Sequence, residues 1–113
     1  GEGPAFAKPG AQAPQDLWVI CRITVARPGR PLGSQEVVVY TAIMPRVLAN
    51  DVVYRVAFGQ FVAKTYGITG HDGDCATVKT EAGAQQTLDY LTTNKHYPSQ
   101  IQVVKTGWQY TPQ

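Results

Sequence analysis

The hydrophobic period of the sequence changes from two to about 3.6 after Asn50, and this change most constrains the fold. Leu17–Ala26 alternates, with Leu17, Cys21 and Val25 on one face and Arg22 on the other. Strict alternation is typical of a strand with one buried face. After Asn50 the apolar residues follow the i, i+3, i+4 spacing of an amphipathic helix. The chain is therefore predicted to be an α+β domain.

The first half of the chain predicts two strands and a helix. The strands cover Leu17–Ala26 and Glu36–Met44, and the Pro/Gly-rich segment RPGRPLGSQ separates them. The helix covers about 51–66, capped by the Asn50 or Asp51 side chain and ended by Gly67. The first two strands are expected to pair antiparallel.

The second half predicts a strand, a helix and a final strand. Cys75–Thr80 is the third strand, and Thr80 caps a helix whose apolar face holds Ala84, Leu88 and Leu91. This helix ends at Asn94 or Lys95, and Ile101–Thr106 is the last strand. The last β-α-β unit is expected to be a right-handed crossover between parallel strands.

The resulting order is β-β-α-β-α-β. We expect a four-stranded mixed sheet with both helices on one face, which gives a two-layer domain over residues 17–113. Residues 1–16 are rich in Gly, Ala and Pro without any periodicity, and they are expected to form a flexible linker or mature N-terminus.

Length and charge exclude several classes of protein. The chain has 113 residues, with ten Lys plus Arg against eight Asp plus Glu, and a net charge of +2. One domain of ordinary size fits this length. The near-neutral balance argues against a strongly basic nucleic-acid-binding domain, and no apolar run is long enough to predict a membrane span.

The two cysteines predict one disulfide. Cys21 lies on the apolar face of the first strand, and Cys75 begins the third, so the sulfurs meet if these strands are neighbours. Two buried free thiols are the first alternative. The second is a catalytic thiolate at Cys75, with its pKa lowered by His71 and the imidazole oriented by Asp72 or Asp74. A disulfide favours an oxidising compartment, so we expect a periplasmic or secreted bacterial protein.

The segment GITGHDGDC collects potential metal ligands, but the spacing matches neither a zinc site nor a calcium loop. Asp and Gly are also ordinary turn residues, and we expect a loop here. The glycines follow a helix rather than a strand, so they do not form a nucleotide-binding loop. The sequence predicts no metal and no cofactor.

The candidate binding residues are arginines and aromatics. All five arginines lie between positions 22 and 55, and their planar forks suit carboxylates and phosphates. They indicate an acidic partner, with solvated loop charges and nucleic-acid binding as the alternatives. Aromatics on an open sheet face would suit a glycan, a peptide or a protein; the alternative is that they complete the rim of the core. The predicted partner-binding residues are Arg27, Arg30, Arg46, Trp18, Tyr40 and Trp108.

The segment from Cys75 to Trp108, with its TEAGAQQTLDYL helix and QVVKT strand, resembles half of the SPOR domains, which bind peptidoglycan glycan strands. The resemblance covers about a third of the chain. The N-terminal half departs from it, since SPOR domains begin β-α-β and this chain begins β-β-α. The resemblance implies an envelope ligand and identifies no site residue.

These observations favour a non-catalytic exported binding module that acts on a protein partner, as an inhibitor, immunity protein or accessory domain does. A peptidoglycan- or carbohydrate-binding envelope domain is the alternative, and a small cysteine-dependent hydrolase is the third. The binding hypothesis predicts that alanine at Arg27, Arg30 or Trp108 weakens binding and leaves thermal stability nearly unchanged.

Overall fold

The computed structural model describes residues 17–26, 35–67, 72–93 and 101–112. They form a small α+β domain with one mixed sheet and two helices. The predicted linker over residues 1–16 lies outside the described residues. The elements are β1 (Trp18–Ala26), β2 (Gln35–Tyr40), β3 (Met44–Pro45), α1 (Asp51–Tyr66), β4 (Asp72–Val78), α2 (Glu81–Thr93) and β5 (Gln102–Lys105).

The sheet is built around β1. Strand β4 pairs antiparallel with one edge of β1, while β2 and β3 pair antiparallel with the other. Strand β5 pairs parallel with β2. The predicted antiparallel pairing of the first two strands is confirmed. β4 and β5 also run in the same direction, since both are antiparallel to β1, as predicted for the last β-α-β unit.

The sheet has five strands rather than four, because the predicted second strand is interrupted. Tyr40 lies opposite Arg22, and Met44 lies opposite Val19. The segment from Tyr40 to Met44 therefore takes four residue steps where β1 takes three. The extra residue forms a bulge-like irregularity. The amide of Cys21 donates to the hydroxyl of the buried Thr41 at 3.0 Å, so a side chain replaces a backbone partner there.

The two helices lie on opposite faces of the sheet, which corrects the prediction that both cover one face. The first core joins odd-numbered residues of β1 to Tyr54, Phe58 and Val62 of α1. The second core joins Ile20 and Val38 to α2 through residues that include Leu88. Because successive strand residues point to opposite faces, these two cores are on different sides of the sheet.

The direction of the two crossovers explains this arrangement. From β3 the chain passes by α1 across β1 to β4, and from β4 it returns by α2 across β1 and β2 to β5. Crossovers strongly prefer one hand. Two crossovers of the same hand that travel in opposite directions must use opposite faces, as in doubly wound sheets. The molecule therefore has three layers rather than two.

The starts of both helices and the end of α1 follow their predicted caps, whereas the predicted end of the second helix at Asn94 or Lys95 lies outside the described residues. The Asn50 side chain accepts from the amide of Val52 at 2.8 Å, and Gly67 ends α1 with φ of 68°. The Thr80 hydroxyl accepts from the amide of Gly83 at 2.9 Å at the start of α2. Local hydrogen bonding thus determines where both helices begin.

Strand β4 begins three residues before the predicted Cys75, inside the segment that was expected to be a loop. Gly73 fits there because a side chain would press on the strand beside it. A β-carbon at this position would lie 3.3 Å from the carbonyl oxygen of Arg22 and 3.3 Å from the Ile23 side chain. The Asp- and Gly-rich sequence is therefore compatible with a strand that pairs along one edge.

The predicted disulfide joins Cys21 to Cys75, with a sulfur–sulfur distance of 2.00 Å. The two residues lie directly opposite each other in β1 and β4, and their Cα atoms are 4.0 Å apart. The Cys21 amide and carbonyl both bond to Thr41 and not to Cys75, so the two cysteines form a non-hydrogen-bonded antiparallel pair. The disulfide therefore links the central strand to the strand beside it.

Candidate functional site

The C-terminal segment, residues 106–112, passes beside the first core and packs against α1. It continues from β5 through two backbone bonds, from the Thr106 amide to the Tyr40 carbonyl at 2.9 Å and from the Ala42 amide to the Trp108 carbonyl at 3.0 Å. The ring of Trp108 is 5.2 Å from the ring of Phe58, and Tyr110 meets Tyr54 edge-to-face at 5.3 Å. These aromatic contacts hold the segment beside the helix.

A groove of about 600 Å³ runs between α1 and the C-terminal segment, and we call it the α1 groove. None of its lining residues carries a charge at neutral pH. The helix side supplies valines, Ala57 and Gln60, and the other side supplies aromatics, an amide and a hydroxyl. The lining residues are Val52, Val53, Val56, Ala57, Gln60, Trp108, Gln109, Tyr110 and Thr111.

Three valines of α1 form an exposed apolar surface beside this groove. Val52, Val53 and Val56 are 46%, 41% and 54% exposed, and we call these three residues the valine surface. Val47 is also exposed in the preceding loop. The hydroxyl of Tyr54 accepts from the amides of Val47 and Leu48 at 2.8 and 3.0 Å, which fixes this loop beside the helix.

A second groove, of about 440 Å³, lies on the opposite flank of α1. It runs towards Gly73 of β4, and it shares Val52, Val56 and Gln60 with the α1 groove. The outer side of α1 is therefore a ridge between two depressions. A ridge flanked by grooves is the shape that packs against another helix or a chain segment.

Arg46, one of the predicted partner-binding residues, is held inside the protein. Its side chain is 9% exposed and lies 2.6 Å from the Asp51 carboxylate, an ion pair without hydrogen-bond geometry. The guanidinium also donates to the Thr77 hydroxyl at 2.6 Å and to the Ala49 carbonyl at 2.8 Å. Arg46 therefore connects the start of α1 to β4.

The three predicted aromatics do not share one surface. Tyr40 is 1% exposed in the second core, and Trp18 packs against the same core. Trp108 packs against the first core, on the other face of the sheet. Of these three, Trp108 alone lines the α1 groove. Arg27 and Arg30 lie outside the described residues, so their role in binding stays a prediction.

The thiol chemistry considered from the sequence requires a free Cys75, but its sulfur is bonded to Cys21. His71 lies outside the described residues. Within the described part of the chain, no group of three or more His, Cys, Asp or Glu residues is placed to hold a metal ion. No helix in that same part is long and apolar enough to cross a membrane.

A smaller cavity of about 190 Å³ lies on the other face, between the sheet and α2. Its inner wall includes the buried Ile20 and Tyr40, and Leu91 of α2 closes one side. At its edge the Arg22 guanidinium binds both carboxylate oxygens of Asp74, at 2.8 and 3.3 Å. This cavity is separated from the α1 groove by the sheet.

The sequence contained a signal for the valine surface, although the predicted site did not include it. Tyr54, Phe58 and Val62 account for the inward face of α1. Val52, Val53 and Val56 lie off that face and are apolar as well, so the helix is apolar on more than its core side. Apolar residues outside the core stripe of a surface helix indicate a second contact surface.

Comparisons with protein-family models, with curated proteins and with solved structures found no match to this chain. The resemblance to SPOR domains therefore gains no support from a family model.

Proposed function

We propose that the protein is a non-catalytic, extracytoplasmic module that binds a protein partner through the valine surface and the α1 groove. The observation that carries this proposal is the cluster of three exposed valines beside a groove with no charged lining residue. Clustered apolar residues on a protein surface are typical of interaction sites. The disulfide is compatible with an oxidising compartment.

The partner contacts inferred here are apolar, in contrast to the acidic partner expected from the arginines. The valines supply apolar area, and Trp108 and Tyr110 beside them belong to the residue types that most often dominate the affinity of a protein interface. Fully burying an exposed valine side chain contributes about 1.5–3 kcal/mol. These valines are already about half buried, so each would contribute about 0.7–1.5 kcal/mol on binding.

The proposal is tested by crosslinking followed by a binding measurement. A photoreactive residue at position 56, incubated with extract of the source organism, is expected to capture a protein that the same residue at position 90 does not. The captured protein is then purified. Val53→Glu and Val56→Glu are each expected to raise its Kd by roughly ten-fold or more. Tyr90→Glu, on the exposed side of α2, is the matched control and should leave Kd unchanged.

If the glutamate variants bind the captured protein as tightly as the native protein does, the valine surface is not the binding site. Folding is checked by the urea midpoint. Val53 is at the third position of α1, where an acidic residue interacts favourably with the helix dipole, so this variant should retain its stability.

Carbohydrate binding is the second candidate, and one feature of the same groove favours it. Trp108 and Tyr110 stand beside the amides of Gln60 and Gln109, which combines ring faces with hydrogen-bonding groups. Pelleting with purified peptidoglycan sacculi separates the two candidates. Glycan binding is supported if the native protein sediments with the sacculi and the Trp108→Ala variant does not. It is excluded if the native protein stays in the supernatant.

A further inference from the structure

Strand β4 leaves one edge of the sheet open in the described part of the chain, where β4 pairs with β1 alone. The direction of its backbone groups follows from the neighbouring strand. The Cys21 carbonyl accepts from the Thr41 amide at 2.9 Å, and the Cys21 amide donates to the Thr41 hydroxyl, so both groups point away from β4. Cys75 opposite it therefore directs its own amide and carbonyl to the open edge.

The same alternation gives Gly73 and Thr77 outward backbone groups as well. One contact confirms the direction, because the Gly73 carbonyl accepts from the Arg55 guanidinium of α1 at 3.4 Å rather than from β1. The amides and carbonyls of Cys75 and Thr77 thus form a short row of strand hydrogen-bonding groups. An open row of this kind is a template for a further strand.

Residues of this edge strand line the cavity beneath α2. Asp74 is 63% exposed and Ala76 is also exposed, whereas Ile20 and Tyr40 at the inner wall are buried. All four residues line the cavity. The small side chain of Ala76 leaves room above β4 for a longer side chain to reach inward from the edge.

We propose that the β4 edge binds an extended peptide segment of a partner protein, which adds an antiparallel strand to the sheet. One long apolar side chain of the segment leans over Ala76 into the cavity. Main-chain hydrogen bonds then supply affinity and the cavity supplies specificity, as in other strand-addition complexes. This surface is independent of the valine surface, which lies on the other face.

Charge complementarity defines the second feature of the segment. Asp74 and Ala76 lie on the same face of β4, and the Asp74 carboxylate is 63% exposed although it accepts from the Arg22 guanidinium at 2.8 Å. A directly opposed pair of unlike charges stabilises neighbouring strands. The segment is therefore expected to carry Lys or Arg opposite Asp74, two residues after the apolar side chain that lies opposite Ala76.

A random-peptide display library, selected on the oxidised protein, tests the proposal. Enriched peptides are expected to share an apolar residue followed two positions later by Lys or Arg. Ala76→Phe, which obstructs the path into the cavity, is expected to raise the Kd of a synthetic peptide by roughly ten-fold or more. Ala82→Phe, an exposed position at the start of α2, is the matched control and should bind the peptide like the native protein.

Two further measurements separate strand addition from other contacts. Methylating a peptide amide that faces β4 should abolish binding, and the NMR amide signals of Cys75 and Thr77 should shift when the peptide is added. Val56→Glu should bind the peptide normally, so this inference and the proposed function can fail separately. The inference is overturned if no motif is enriched, or if the enriched peptides bind Ala76→Phe and the native protein equally.

Discussion

Arg46 is the residue whose surroundings differ most from its predicted role. The sequence places it among basic residues available to a partner, but the structure surrounds its guanidinium with Asp51, Thr77 and the Ala49 carbonyl. Three partners meet on one planar fork, which a lysine cannot reproduce. Ala49 and Asp51 are close to Arg46 along the chain, but Thr77 is 31 residues away, and that contact depends on where β4 pairs.

Replacing Arg46 with alanine should therefore destabilise the fold. We expect Arg46→Ala to lower the free energy of unfolding by about 2–3 kcal/mol, below the full effect for a buried ion pair because Asp51 stays partly exposed. Urea denaturation followed by circular dichroism measures this. Asp74→Asn, which breaks the more exposed Arg22 pair, should cost less than about 1 kcal/mol. Equal losses of unfolding free energy in the two variants would contradict a structural role for Arg46.

Helix α1 shows which features of an element a sequence can specify. Its bounds agree with the prediction because the Asn50 cap and Gly67 act through nearby backbone groups. The face of the sheet that it covers depends on where β4 pairs, and β4 begins only after the helix has ended. The prediction of one helical layer failed for this reason: local periodicity contains no information about the direction of a crossover.

The end of α1 provides a test at the scale of the element. Gly67 has φ of 68°, and a β-carbon added there would find no atom within 4 Å. Gly67→Ala should then lower the unfolding free energy by about 1–2 kcal/mol through backbone strain alone. Gly67→Asn should lose less, since asparagine tolerates this conformation. Thermal unfolding of the native protein and the two variants distinguishes backbone strain from a packing effect. A packing effect would make the asparagine variant less stable than the alanine variant, because asparagine is larger.

The sheet with a helix on each face is the feature of the whole molecule that locates its binding surfaces. The central residues of β1 and β2 are buried on both sides, so the open aromatic sheet face expected from the sequence is replaced by two cores. The two surfaces proposed for partners, the outer side of α1 and the β4 edge, lie outside these cores. Neither could be placed from the sequence, because both depend on which strands become neighbours.

The disulfide stabilises this whole arrangement. It closes a loop with a sequence separation of 54 that contains β2, β3 and α1. In the chain-entropy model such a loop contributes about 4 kcal/mol. The native protein should therefore lose about this much unfolding free energy when a reductant is added. Urea titrations with and without reductant measure the loss, after mass spectrometry has confirmed two fewer protons in the oxidised form.

The variant with Cys21→Ala and Cys75→Ala is the control for reductant effects. Its urea midpoint should be the same with and without reductant. If the native protein were equally insensitive, the covalent link would contribute nothing to stability.

The same link also determines how the chain responds to mechanical tension. If the protein is pulled by its two ends, force passes from β1 to β4 through the sulfurs and bypasses the segment between them. That segment of 54 steps would extend by about 190 Å if it were released. The oxidised protein thus keeps α1 and the valine surface within a covalently closed loop, shielded from a load that would separate the strands outside it.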